Sequence, residues 1–152
     1  MLSDEQAIAN LVLGYAEAVD RGDFDAVGTF FADATYRAAV GSDVYVLEGA
    51  AAVTEQMTAF TRRYDVGTPR TRHLTTNLII ELDDAATAAT CRSSYCVLQV
   101  VAGSLQPIIV GRYHDAFAKV DDRWRFTDRL VHTDLIGDLR GHLLHDLPKP
   151  HR

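Results

Sequence analysis

Two side chains able to move a proton stand far apart in this sequence, each without a local partner. His73 opens the extended run RTRHLTTNLIIEL (70–82), with no second histidine or cysteine at ligand spacing and no carboxylate before Glu81. Asp20 closes the helical run YAEAVDRGDF, where the helix dipole opposes a carboxylate by roughly 0.3–1 kcal/mol. A carboxylate that accepts a hydrogen bond from one imidazole nitrogen fixes the tautomer and makes the other nitrogen a better base. Joined, Asp20 and His73 have the chemistry to take a proton from carbon. The plainer alternative is a solvated turn aspartate and a satisfied strand histidine, and spacing alone favours it.

Other polar residues are candidates to complete such a site. Tyr15 lies about one helical turn before Asp20 on an apolar stripe, either as a core tyrosine with a bonded hydroxyl or as a site residue. Arg129 shares strand parity with Arg125 and Thr127, opposite Trp124 and Phe126, so it needs a bulge to point inward if Arg125 is solvated. Asn77 and Tyr95 are candidate pocket-lining residues, or ordinary strand residues. His132, in the last strand, is a candidate for the mouth of a pocket. His142 and His145 are three apart and could share a helix face, but their polar terminal segment reads more simply as a solvated tail than as a metal site. The sequence has no GxGxxG, P-loop, HExxH, CxxC or GxSxG, so no cofactor or metal is expected.

The elements that must position these residues follow from periodicity. Ser3 with Gln6 is a capping-box start, and Ile8, Leu11, Val12, Tyr15, Ala18 and Val19 recur at helical spacing. Gly22 stops that helix and Asp23 caps a short apolar second one. Residues 34–47 read as a hairpin about the turn GSD, and residues 50–64 as a third helix. Four strands are expected over about 72–82, 86–101, 106–120 and 123–134, then a short helix near 138–145 and a tail from 135 to 152. Three helices before a mainly antiparallel sheet make a single α+β domain with segregated helices.

At 152 residues the chain is long enough to bury a real core. A net charge of −6 argues against nucleic-acid or anionic-membrane partners, and no apolar run approaches a membrane span. The acidic N-terminus MLSDEQAIAN lacks a signal-peptide layout. Cys91 and Cys96 are an odd number of residues apart in one strand, which points them to opposite faces and disfavours a disulfide. These features lead to the expectation of a soluble, reduced, cytoplasmic protein.

The order Y-x-x-x-x-D-x-x-D-F (Tyr15, Asp20, Asp23, Phe24), then F-x-D-x-x-Y, R-H-x-x-x-N and GRYHDAFAKVDDRWRFTDR resembles a SnoaL-like domain of the nuclear transport factor 2-like superfamily. It is most similar to the branch of scytalone dehydratase, the bile-acid 7α-dehydratases and hexachlorocyclohexane dehydrochlorinase, over about residues 4–134. The resemblance implies a cone-shaped curved sheet wrapped around three N-terminal helices and enclosing an apolar pocket. It places the family's catalytic aspartate on Asp20 and its histidine on His73. It places the dehydrochlorinase's strand-closing arginine on Arg129, and a bile-acid dehydratase tyrosine on Tyr15. For the second pocket histidine of scytalone dehydratase, the candidate is His114.

The expected function is that of a cofactor-independent lyase, of dehydratase or dehydrohalogenase type, acting on a hydrophobic, polycyclic or aromatic small molecule. An isomerase or polyketide cyclase uses the same base, and a non-catalytic ligand-binding or assembly domain needs no dyad. A homo-oligomer, dimer or trimer, is expected from the outer face of such a sheet.

Overall fold

The computed structural model describes residues 1–147. Helix α1 (Asp4–Arg21) begins at Ser3, whose hydroxyl accepts from the Gln6 N–H as the capping box requires. It ends at Gly22, at φ +72°, where Gly22 N–H donates to Val19 O and Asp23 N–H to Ala18 O. Asp23 then caps α2 (Phe24–Thr29) by accepting from Ala26 N–H. Strands β1 (Thr35–Val40) and β2 (Asp43–Glu48) form the expected hairpin, and α3 (Gly49–Phe60) packs against α2.

Four long strands complete the domain: β3 (Thr71–Leu82), β4 (Ala88–Val101), β5 (Ser104–Val120) and β6 (Arg123–Ile136). They form one six-stranded sheet in the order β2-β1-β6-β5-β4-β3. Only the β1/β6 pair is parallel, because the first hairpin and helix α3 return the chain to the far edge at β3. The β5–β6 connection is a two-residue turn with Asp121 and Asp122 both at positive φ, the type whose twist matches the flanking strands.

Bulges bend the long strands around the helices. They interrupt the pairing between Thr76 and Ile79, between Val97 and Leu98, between Val110 and Gly111, and between Ala116 and Phe117. The concave side receives the stripe of α1, so Ile8, Val12, Tyr15 and Val19 are buried with Val97, Ile108, Phe117 and Phe126. At the rim, Asp4 accepts from Lys119 Nζ at 2.9 Å and Trp124 Nε1 at 2.7 Å, tying the start of α1 to the β5–β6 hairpin.

Two expectations need correction. No helix forms over 138–145; this segment lies as an irregular strap against the end of α3, with Thr61 bridging Leu143. Helix α3 correspondingly ends at Phe60 rather than near residue 64, because Thr61 and Arg62 turn extended to meet the strap. The reason is shared: backbone groups that a longer α3 and a terminal helix would have satisfied internally are satisfied across the pair.

Gly22 is required on two counts. Its φ is left-handed, and a Cβ there would run into the carbonyl oxygen of Gly67. Gly22→Ala is therefore expected to destabilise the fold by more than the roughly 1 kcal/mol of a left-handed alanine, with an unchanged m-value in urea unfolding.

Candidate active site

Strand β3 is an edge strand, so the N–H groups on its outer side have no neighbouring strand to answer them. At its first residues the last turn of α1 lies alongside, and Asp20 takes the place of a strand. Its Oδ2 accepts from the His73 backbone N–H at 2.8 Å, and its Oδ1 from Thr71 Oγ1 at 2.9 Å. The same Oδ1 lies 2.6 Å from His73 Nδ1. The side chains of His73 and Asp20 are only 8% and 11% exposed.

Burial pushes the Asp20 carboxyl pKa up, but the hydrogen bonds and charge of His73, with help from Thr71, outweigh it and hold the group below its ordinary value. Asp20 is thus a carboxylate at neutral pH, and His73 Nδ1 is the donor to it. The His73 Nε2 has no hydrogen-bond partner among the described residues and is the basic nitrogen. Residues 53 apart in sequence thus meet in a short, enclosed contact.

Arg129 is fully buried. The bulge opposite Ala116/Phe117 makes Thr127 the extra residue, so the inward face passes from Phe126 to Arg129 while Arg125 stays outside. Arg129 Nε and Nη2 donate to the two carboxylate oxygens of its cross-strand partner Asp115, each at 2.8 Å. The guanidinium carbon lies 3.9 Å from the Tyr113 ring centroid and 4.3 Å from that of Tyr15. Burial alone would lower the arginine pKa, but Asp115 more than reverses this.

Tyr15 is buried, with its hydroxyl 3.2 Å from that of Tyr36. Tyr36 in turn lines a cavity of about 240 Å³ between α3, the first hairpin and the strap, together with Leu47, Val53, Met57, Phe60 and Leu143. Asp20, His73 and Arg129 are not part of that lining; the Tyr15–Tyr36 hydroxyl pair is the link.

Three candidates stand away from the interior, and a fourth, Tyr95, takes its alternative as a structural strand residue. Asn77 sits at φ +57° on the β3 bulge and is exposed, a conformation asparagine tolerates and a bulge uses. His114 and His132 face the outer side of the sheet, 4.9 Å apart between ring centroids, beside the Arg112–Asp134 ion pair. Their strand parity is opposite to that of the inward Tyr113 and Val131, so they belong to the convex surface. Tyr95 is inward, but it stacks on Tyr113 at 4.6 Å and donates its hydroxyl to His132 O, which makes it core structure.

Three residues were missed as site members. Asp115 was visible in GRYHDAF, but its role needs the cross-strand register. Tyr36 needs the approach of β1 to α1. His142 lies in the segment expected to be a solvated tail, yet it is only 8% exposed, and its Nδ1 is enclosed without a partner among the described residues. Burial, with the charge of His73 and against that of Asp20, lowers its pKa to about 4. His145, by contrast, is exposed and packs on Phe60, so the two histidines do not share a face. No group of three His, Cys, Asp or Glu side chains among the described residues is placed to hold a metal ion. No helix among them is long and apolar enough to cross a membrane.

Comparison with known proteins adds family and fold. The family model of a SnoaL-like domain matches residues 1–130. No curated protein shows significant sequence similarity. Among solved structures, the chain is similar to a Mycobacterium tuberculosis protein of unknown function, at 26% identity and a TM-score of 0.69 over 86% of this chain and 72% of that one. It is also similar to a candidate scytalone dehydratase from Novosphingobium aromaticivorans, at 21% identity and a TM-score of 0.68 over 96% and 91% of the two chains. LinA matches at 20% identity and a TM-score of 0.69 over 95% and 93%.

Two outcomes are expected. Arg129→Ala leaves the Asp115 charge buried and unpaired, which costs about 3–5 kcal/mol, whereas Arg129→Met with Asp115→Leu should recover most of that loss in urea unfolding. Stability should also fall as pH drops from 6.5 towards about 4, because the unfolded His142 takes up its proton first. That contribution is complete above 6.5, and His142→Gln should flatten the profile in this window relative to wild type. Asp20 acts lower, with its contribution lost only below the ordinary carboxylate value of 3.8.

Proposed function

The chain belongs to the SnoaL-like domain family, and from that premise we propose that it is a cofactor-independent lyase of the dehydratase or dehydrohalogenase type. The observation that carries this reading is the 2.6 Å Asp20–His73 contact, which leaves His73 Nε2 unbonded. The similarity in fold to a candidate scytalone dehydratase is consistent with it.

In this mechanism His73 Nε2 takes a carbon-bound proton from a hydrophobic substrate. Asp20 stabilises the imidazolium that forms, and the electron pair left on carbon expels the neighbouring hydroxyl or halide. A well-placed base contributes about 10²–10⁴-fold. Tyr15 and its hydroxyl partner Tyr36 assist the departing group as donors. Arg129, buried against the Tyr15 ring and paired with Asp115, positions that tyrosine. The apolar cavity of about 240 Å³ that Tyr36 lines accepts the body of a one- or two-ring molecule, since cavities of about 150 Å³ hold benzene.

The test starts by identifying small molecules carried by the purified protein with mass spectrometry, then following turnover in deuterated water. Elimination gives an alkene product, whereas an isomerase returns solvent deuterium to an otherwise intact skeleton. His73→Gln should lower kcat by at least about 100-fold, and Asp20→Asn by a similar factor, with the fold intact and activity surviving exhaustive chelation. Full activity in His73→Gln would defeat the mechanism.

A further inference from the structure

We propose that His142, carried by the strap that follows β6, is a substrate-binding member of this site and hydrogen-bonds an uncharged oxygen of the substrate, a hydroxyl or a ketone. The proposal rests on the reading of Asp20–His73 as the reacting pair and adds to it the polar group that the substrate must carry.

The strap is held at the site by specific bonds. Arg62 N–H donates to His142 O at 2.8 Å and Leu144 N–H to Phe60 O at 2.9 Å, fixing the backbone on both sides of the imidazole. Gly141 O receives Tyr64 Oη at 2.6 Å and Gln99 Nε2 at 3.0 Å. Gln99 is buried and is the cross-strand partner of Thr71, the residue whose hydroxyl donates to Asp20. The strap and the dyad are therefore anchored on one register pair of the β3–β4 ladder, His142 following Gly141 and His73 lying two residues beyond Thr71. A side chain at position 141 would press on Gln99 Oε1 and Tyr64 Oη, so glycine permits this close approach.

Within that enclosure the His142 ring is almost fully buried, and its Nδ1 meets no partner among the described residues. A buried polar atom without a partner costs roughly 1–3 kcal/mol, which a ligand oxygen bonded at Nδ1 would recover. The Gln99–Thr71 register pair that anchors the strap keeps the ring at the same end of the β3–β4 ladder as Asp20 and His73. Thr61, Tyr64 and Gln99 pack around the strap without adding a charge.

The chemistry of the group it recognises follows. Burial keeps His142 neutral at pH 7, so it donates from one nitrogen and accepts at the other. This suits a hydroxyl or a carbonyl oxygen and offers nothing extra to a carboxylate or phosphate. The cation enclosed deeper in the core, Arg129, is already neutralised by Asp115. An oxygen-bearing neutral molecule is thus favoured over both an anion and a plain halocarbon.

The test needs no knowledge of the natural substrate. Binding of 2-tetralone, naphthalene and 2-naphthoate to the full chain is measured by NMR. Wild type should prefer the ketone, and His142→Leu should weaken 2-tetralone by about tenfold while leaving naphthalene unchanged, as loss of one hydrogen bond predicts. His142→Gln, which keeps a donor and an acceptor, should retain much of the ketone affinity. Histidine NMR titration should show the His142 midpoint rising in His73→Gln, where the lowering influence of His73 is removed, and unmoved in His114→Gln. Equal weakening of ketone and hydrocarbon, preference for the carboxylate, binding of neither probe, or an unmoved midpoint would each overturn the proposal. Intact ketone binding without proton exchange would instead count against the lyase reading alone.

Discussion

An edge strand must do something with its outward N–H groups, and in this protein the answer at the head of β3 is a carboxylate. Asp20 meets the His73 N–H, the Thr71 hydroxyl and the His73 ring with two oxygens, so one side chain docks α1 on the sheet edge and orients an imidazole. The helix must therefore stop at that level, which is why the left-handed Gly22 follows two residues later. A charge that is unfavourable at a helix C-terminus becomes favourable once three donors converge on it.

The domain encloses a second carboxylate and treats it differently. Asp115 lies in the core and is matched by Arg129 in a bidentate pair, with the Tyr15 and Tyr113 rings packed against the guanidinium. That pair is bidentate and its charges cancel, while Arg129 Nη1 is enclosed without a partner among the described residues. The Asp20–His73 pair is open, since one imidazole nitrogen remains unbonded. The two pairs differ in kind: a guanidinium keeps its charge, whereas an imidazole can take up or release a proton.

Bulges decide which side chains reach the interior. Without the bulge at Thr127, Arg129 would share the outer face with Arg125, and Asp115 would be a buried anion with no cation opposite it. The bulge at Asn77 does the same for β3, so that His73 and Thr75 give way to Leu78, Ile80 and Leu82 on the concave side. Curvature and chemistry thus have one origin, because each extra residue both bends the strand and inverts its faces.

The sequence by itself determined the elements and their order. Capping at Ser3, Gly22 and Asp23, helical spacing through Val19, and strand-length apolar runs are local signals, and local energetics set them. The awkward placement of Asp20 and the lone His73, together with the family resemblance, also made their pairing legible. Tertiary structure alone decided the rest. It turned His114 and His132 outward and Arg129 inward, paired Arg129 with Asp115, brought Tyr36 to Tyr15, and folded the supposed tail back so that His142 is buried near the dyad. Each depends on the register of strands distant in sequence, or on backbone groups satisfied across a long loop, and a one-residue change of register inverts every face it touches.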